Sequence, residues 1–198
     1  VIKEHWTLVS ERLRDVPKDA AILDAGCGDG TSTRILRDYG FTSVTGVDLV
    51  ASEGVEQGDL HNLKYADGSF DVVYSVHSLE HAHDPIKVLS EFKRVLKPDG
   101  KLFLALPYPD YVDSEHRAKA HVGSPALGLL KDDRAATLCN VIENAGFEIN
   151  MDTKSFGTLR NENEVYLEAV STEKRWRGLP DGYVAQLQEG SWVATEKA

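Results

Sequence analysis

Leu23-Asp24-Ala25-Gly26-Cys27-Gly28-Asp29-Gly30 is the stretch that decides how this chain folds. It lies between a short apolar run, Ala20 to Leu23, and an amphipathic stretch from Thr31 to Tyr39 that Gly40 closes, so the local order is strand, glycine loop, helix. Glycines are needed in such a turn because a side chain would block a ligand's approach and because the turn often requires positive φ. In an open parallel sheet the ligand crevice lies beyond the carboxyl ends of the strands, and the first strand-to-helix turn brings backbone closest to it. The dinucleotide pattern G-x-G-x-x-G fails by one residue. Counting from Gly26 puts Thr31 in its third place, and counting from Gly28 puts Thr33 there.

Outward from the loop, strands and helices alternate. Residues 4 to 16 carry Trp6, Leu8, Val9 and Leu13 at helical spacing and predict an amphipathic helix ending before Pro17. A second strand is predicted from Ser43 to Asp48, a third from Val55 to Leu60, and a fourth from Phe70 to Val76 after the Asp67-Gly68 turn. Asp84-Pro85 supplies an N-cap and a first-turn proline for a helix with Ile86, Leu89, Phe92 and Leu96 on one face, stopped by Pro98-Asp99-Gly100. Lys101 to Leu106 is the fifth strand. A polar loop through His121 leads to a helix from Asp132 or Asp133 with Leu138, Cys139 and Ile142 inward, and Phe147 to Met151 and Val165 to Val170 are the last strands. Short connections between alternating elements imply an α/β domain, a mostly parallel sheet covered on both faces, spanning residues 1–170. Ser171 to Ala198 departs from this rhythm and reads as a C-terminal extension, with Tyr183 to Leu187 and Ser191 to Thr195 as a small hairpin around Glu189-Gly190.

Composition bounds the function. The chain has 198 residues, 41% of them hydrophobic, which is enough for one domain with a proper core. No apolar run approaches the roughly 18 to 20 residues that cross a bilayer, so a soluble protein is expected. A net charge of -10 argues against a general grip on nucleic acid, which needs Lys and Arg to neutralise phosphates. The basic cluster Lys174-Arg175-Trp176-Arg177 is too small to reverse that. Two cysteines, Cys27 and Cys139, make no disulfide framework and no zinc-ligand spacing, which points to a reducing compartment, the cytoplasm.

Two further carboxylates sharpen the reading of the glycine loop. Asp48 ends the second strand 22 residues after Gly26, where an acid can accept both hydroxyls of a ribose, and Asp59 follows Gly58 at the end of the third strand. With Asp24, acids at the ends of three neighbouring strands converge on one crevice.

At these residues the sequence resembles the class I S-adenosylmethionine-dependent methyltransferases in their small single-domain (type 11) form. The resemblance runs from about Ala20 to Pro107. It rests on the glycine loop with Gly46-Val47-Asp48-Leu49, Gln57-Gly58-Asp59-Leu60, Asp67-Gly68-Ser69-Phe70-Asp71-Val72-Val73, Leu79-Glu80-His81 and Leu96-Lys97-Pro98-Asp99-Gly100. It implies a Rossmann-like, seven-stranded sheet whose last strand is antiparallel. It also implies a site for S-adenosylmethionine, with S-adenosylhomocysteine as the product. Asp24, Gly26, Cys27 and Gly28 would belong to the methionine end, Asp48 to the ribose with Leu49 beside the adenine, and Asp59 to the adenine amine with the Leu60 amide at the ring nitrogen. Ser75, Val76 and His77 would line the methyl end. One departure stands out: nine residues separate Asp48 from Gly58, too few for a crossover helix with its loops, so the adenine side is expected to be more open.

Methyl transfer needs a base only when the acceptor must lose a proton. The candidates are His77, His81 and His83 after the fourth strand and His116 and His121 after the fifth, where Tyr108, Tyr111 and Arg117 add recognition chemistry. The catalytic residues therefore stay open. A small-molecule acceptor is favoured by the charge and by the absence of an extra recognition domain. Two other readings remain: a donor-binding partner subunit without turnover, and a zinc-dependent hydrolase through His77, Glu80 and His81, which match H-x-x-E-H. The latter motif must lie on a helix, whereas here it follows directly on a strand, so no metal site is expected. Between Asp48 and Asp84 there are eight acids and one base, and most of the chain's negative charge falls in the stretch expected to wall a sulfonium-bearing ligand.

Overall fold

Strand β1, Ala21–Ala25, is buried from Ile22 onward, as a central strand covered on both faces must be. In the computed structural model the described residues are 2–107, 142–143, 145–150, 155–156, 164–172, 183–188 and 191–196. Parallel to β1 on one side run β2, Ser43–Asp48, and β3, Val55–Gln57. On the other side run β4, Phe70–Val76, and β5, Leu96–Pro107. Beyond β5 lie β8, Glu164–Ser171, and β6, Phe147–Ile149, giving the order β3-β2-β1-β4-β5-β8-β6. The expected seven-strand sheet is therefore present. β8 is antiparallel to both its neighbours. An eighth strand of two residues, β7 (Ser155–Phe156), was not legible in the sequence and pairs with β8 at Tyr166 and Val165.

The alternation of side chains along each strand builds two cores. Ile22, Val44, Val72, Tyr74 and Phe103 face α1 (Ile2–Arg12) and α2 (Thr31–Asp38) and pack on Val9, Leu13, Ile35 and Leu36. Their chain neighbours Leu23, Val73, Leu102 and Leu104 face α3 (Pro85–Val95) and pack on Val88, Leu89, Phe92 and Val95, joined by Ile142. Leu89 and Phe92 are fully buried, and each contributes on the order of 2 kcal/mol by leaving water. Helices thus cover both faces. The strand order turns back between β1 and β4, and the crevice of such a sheet opens at that reversal, beyond the carboxyl ends.

Several boundaries differ from expectation for local reasons. The first helix ends at Arg12 rather than at residue 16, because Pro17 disfavours helical geometry before it, and the chain descends through a turn in which Val16 N–H donates to Leu13 O. β3 stops at Gln57 rather than at Leu60, since Asp59 turns the chain by accepting the His61 N–H. β5 starts at Leu96, not Lys101. α3 stops at Val95, so Leu96, expected on its inner face, is already extended at ψ 140°, and Pro98-Asp99-Gly100 forms a bulge inside the strand: Leu96 pairs with Phe70 and Lys101 with Val72, and Asp99 takes φ 60°. The polar loop through His121, the start of the helix at Asp132 or Asp133, and the basic cluster Lys174–Arg177 lie outside the described residues; 142–143 are helical. β9 (Tyr183–Gln188) and β10 (Ser191–Glu196) pair antiparallel as a separate two-stranded sheet. Among the described residues no helix is long and apolar enough to cross a membrane.

Candidate functional site

The glycine loop is held to β2 by its own backbone. Gly26 N–H and Cys27 N–H both donate to Val47 O, at 2.8 and 3.2 Å. Gly26 adopts φ 76° and Gly28 φ 56°, a region that side chains rarely enter. At Gly26 there is also no room, because a methyl group there would stand 1.8 Å from Ser78 Oγ. Gly28 is the opposite case. Among the described residues nothing lies within 4 Å of where its methyl group would be, so they leave this backbone bare to the crevice.

Asp48 and Asp24 serve the loop from two sides. Gly28 N–H donates to Asp48 Oδ2 at 2.8 Å and Val50 N–H donates to its Oδ1 at 3.3 Å, which fixes the second-strand acid against the loop. Asp24 is 2% exposed, and its Oδ2 accepts from Ser32 Oγ and Thr33 Oγ1, both at 2.7 Å, so it pins the first turn of α2 beneath the loop. Burial pushes its pKa up to about 6 against the pull of those hydroxyls, and the Asp48 charge adds a little. Cys27 is buried as well; burial, then the Asp24 charge, pushes its thiol up to about 12, which makes it a packing residue and no nucleophile.

Residues 49–54 join β2 to β3 without a helix, with an isolated bridge between Ser52 and Val55. Leu49 and Val50 are 65% and 71% exposed, so the open side expected from the short connection is present. Asp59 is not solitary: its Oδ1 accepts from His61 N–H at 2.9 Å and sits 2.6 Å from His61 Nδ1. Those bonds hold its carboxyl below the usual carboxylate range. Leu60 packs on the α3-side core and would lie 3.5 Å from a methyl group on Gly26.

Ser75 and Val76 end β4. Ser75 is fully buried, and its Oγ has no hydrogen-bond partner among the described residues. His77 follows with φ 53°, its N–H donating to Ala105 O, a left-handed placement uncommon for a residue with a side chain, just outside the sheet. Glu80 is fully buried between two imidazoles, with Oε1 3.6 Å from His77 Nδ1 and 4.0 Å from His81 Nε2. Burial, then the nearby His77, lowers the His81 pKa. His77 lies outside the three-residue 3-10 turn Leu79–His81, so the H-x-x-E-H residues do not share a helix. No cluster of three or more His, Cys, Asp or Glu suited to a metal occurs among the described residues. His83 stacks on His61 at 3.8 Å, and His116 and His121 lie outside the described residues.

Sequence reasoning missed His61, Glu91 and Arg94. Glu91 Oε2 accepts from Leu63 N–H and Arg94 at 2.8 Å each, and Arg94 donates to the carbonyls of Leu63 and Tyr65, so α3 clamps the loop that follows Asp59. Glu91 and Arg94 are three residues apart, but their partners in the loop are 28 to 31 residues away. No local spacing announces the contacts to the loop; only the i,i+3 pair of Glu91 and Arg94 and the D-x-H pattern at Asp59 and His61, an Asx-type turn, were readable.

A glycine loop bare at Gly28, an acid bound to it from β2 and this strand order define a class I S-adenosylmethionine-dependent methyltransferase, and the chain belongs to that family: the methyltransferase domain model matches residues 5–150. It is 38% identical over 109 residues to the 2-methyl-6-phytyl-1,4-hydroquinone methyltransferase of Synechocystis sp., covering 47% of this chain and 34% of that one. With the 27-O-demethylrifamycin SV methyltransferase of Amycolatopsis mediterranei it shares 28% over 156 residues, 67% of this chain and 57% of that one. The chain thus spans about a third to just over half of the length of these relatives. The structure of the 1,6-didemethyltoxoflavin-N1-methyltransferase of Burkholderia thailandensis, solved with 1,6-didemethyltoxoflavin and S-adenosylhomocysteine, has a TM-score of 0.63 at 16% identity. The match covers 87% of this chain and 78% of that one, a likeness of fold.

Proposed function

We propose that this chain transfers the methyl group of S-adenosylmethionine to a small-molecule acceptor. The observation that carries the reading is the pairing of Gly28 and Asp48: bare backbone over open space, with a carboxylate fixed 2.8 Å from the same amide. In this reading Gly26, Cys27 and Gly28 lie along the methionine portion, and Asp24 shapes the loop from beneath. Asp48 accepts from the ribose hydroxyls, Leu49 covers one face of the adenine, and Asp59 and the Leu60 amide meet its edge. Ser75 Oγ, without a hydrogen-bond partner among the described residues, lies with Val76 and His77 toward the reacting end and offers a polar atom there. When bound, the donor supplies an electrophilic methyl on sulfonium sulfur; the protein's task is to hold acceptor and donor close and in line.

The acid-rich stretch from Asp48 to Asp84 suits a cationic ligand. If the acceptor carries a hydroxyl, His81 is available to take its proton, since a lowered pKa keeps the imidazole neutral at pH 7. The relatives named for hydroquinone and rifamycin methylation support a small-molecule acceptor. Residues 1–170 are the catalytic domain in this reading and 171–198 an extension, and the buried free thiol of Cys27 suits the cytoplasm.

A thermal shift series tests this. Ligand at 100 times its Kd adds about 2.7 kcal/mol, which for a chain of this size raises Tm by roughly 5–10 °C. S-adenosylmethionine and S-adenosylhomocysteine should both do so. Stabilisation by NADH and by neither of them would sink the proposal; tight donor binding with no turnover across a broad acceptor screen would point to the inactive partner subunit instead.

A further inference from the structure

We infer that His61 is a positioning residue that makes the donor site selective for a purine carrying an exocyclic amine, by aiming one oxygen of Asp59 at it. The inference rests on the reading of Asp59 as the purine contact. Three contacts fix the ring. His61 Nε2 accepts from the Asp84 N–H at 3.2 Å, so that nitrogen carries a lone pair and, in the neutral imidazole, the proton sits on Nδ1. Nδ1 is 2.6 Å from Asp59 Oδ1, so this proton is donated to the carboxylate. His83 stacks on the ring at 3.8 Å and 26°, which limits its rotation. The far end is equally anchored, because Asp84 caps α3 by accepting the Lys87 N–H.

The consequence falls on Asp59. Its side chain is half exposed, and alone it would sample several rotamers. Two donors from one residue, the His61 N–H and Nδ1–H, both bind Oδ1, and among the described residues no donor binds Oδ2. One oxygen is consumed and the other is presented, in a fixed direction, as an acceptor only. The carboxyl is held in its ionised form by the same bonds. An amine on the purine completes this arrangement, whereas a carbonyl oxygen at the same position meets a negative charge with no proton between them. Recognition of that edge then depends on a residue that need not touch the ligand. His61 also ties the segment after β3 to the start of α3, so the same ring sets where Leu60 and its amide stand.

The test is calorimetric binding of S-adenosylhomocysteine and of its 6-oxo (inosine) counterpart to the wild-type chain and to three variants. A charge-assisted hydrogen bond is at stake, so the wild type should prefer the amine by about tenfold or more. His61→Asn keeps a donor at the Nδ1 position and should retain most of that preference. His61→Gln keeps an acceptor near the Nε2 position, holds the α3 contact, and should lose most of it, as should His61→Ala. Unchanged circular dichroism serves as the control for folding, and His61→Gln, which keeps the tie to α3 and so Leu60 in place, separates the Asp59 contribution from that of the Leu60 amide. An undiminished preference in His61→Gln and His61→Ala overturns the proposal, as does loss in His61→Asn to the level of His61→Gln. A wild type that binds both compounds equally overturns it at the root, because the reading of Asp59 then fails before His61 is altered.

Discussion

Ser78 Oγ stands where a methyl group on Gly26 would have to go, 1.8 Å from it, with Ser78 Cβ at 2.5 Å. The glycine loop after β1 and the segment after β4 are therefore in direct contact across the crevice mouth, and neither can grow without moving the other. Gly26→Ala adds a φ of 76° to this clash and should cost about 2–4 kcal/mol, a fall in Tm of roughly 5–15 °C. Ser78→Gly removes both clashing atoms and should return part of that loss in the double variant, with a coupling of about 1 kcal/mol or more. A double variant no more stable than Gly26→Ala would show that the backbone angle alone is responsible.

Gly28 separates binding from stability. Its φ of 56° carries a penalty for any side chain, about 1 kcal/mol for alanine, but no atom obstructs it. Gly28→Ala and Gly28→Val should remain folded and lose S-adenosylhomocysteine affinity, by about tenfold for alanine and beyond detection for valine. Unchanged affinity in Gly28→Val, measured by calorimetry on protein with intact circular dichroism, would mean that the open space over Gly28 is not where the donor lies.

Asp24 ties stability to pH in the unusual direction for an acid. Its folded pKa, about 6, is above the 3.8 of a free aspartate, so its contribution is fully present below the unfolded pKa and is lost as pH rises through the folded one. At pH 7 the buried charge costs on the order of 3 kcal/mol. Asn at this position can still accept from Ser32 and Thr33 without carrying charge. Denaturation of Asp24→Asn against wild type should show a difference that grows in the variant's favour from about pH 4 to 6 and then levels off. A flat difference over that window would refute the raised pKa.

Glu91 works with the opposite sign. The Arg94 hydrogen bond, reinforced by the Leu63 amide, holds its carboxyl below the usual range, so its stabilisation is present at neutral pH and disappears as the solution is acidified through its folded pKa. Glu91→Gln leaves Arg94 short of its charged partner and should cost on the order of 2–3 kcal/mol, or roughly 5–10 °C in Tm. The loop of residues 59–68 should loosen with it, read as faster amide exchange at Leu63. Full protection of that amide in the variant would place the anchor elsewhere.

What the sequence disclosed follows the range over which each signal acts. The glycine loop, Asp48 and the capping Asp84 were legible because their chemistry is written within a few residues, and the periodicity of α3 held through Phe92 but not to Leu96. His61 and Glu91 were not, since each acquires its meaning from a partner more than 20 residues away. Asp24 was read as a wall of the crevice by its place at the end of a strand; its 2% exposure and its two hydroxyl partners show a carboxylate turned to the scaffold. β7 escaped because two residues carry no periodicity. The start of β5 escaped because Leu96 continues the apolar spacing of α3 and Pro98-Asp99-Gly100 reads as a helix stop, whereas here it bulges a strand already begun.

The brief connection that leaves Leu49 and Val50 uncovered also decides how this molecule meets its own kind. β3 ends the sheet's order with only three residues, two of them the exposed Glu56 and Gln57, where a long apolar border would invite a neighbouring chain to add a strand. So short and polar a rim gives a second sheet almost nothing to zip onto. The same economy of chain that uncovers Leu49 and Val50 therefore keeps that flank from becoming a seed for aggregation.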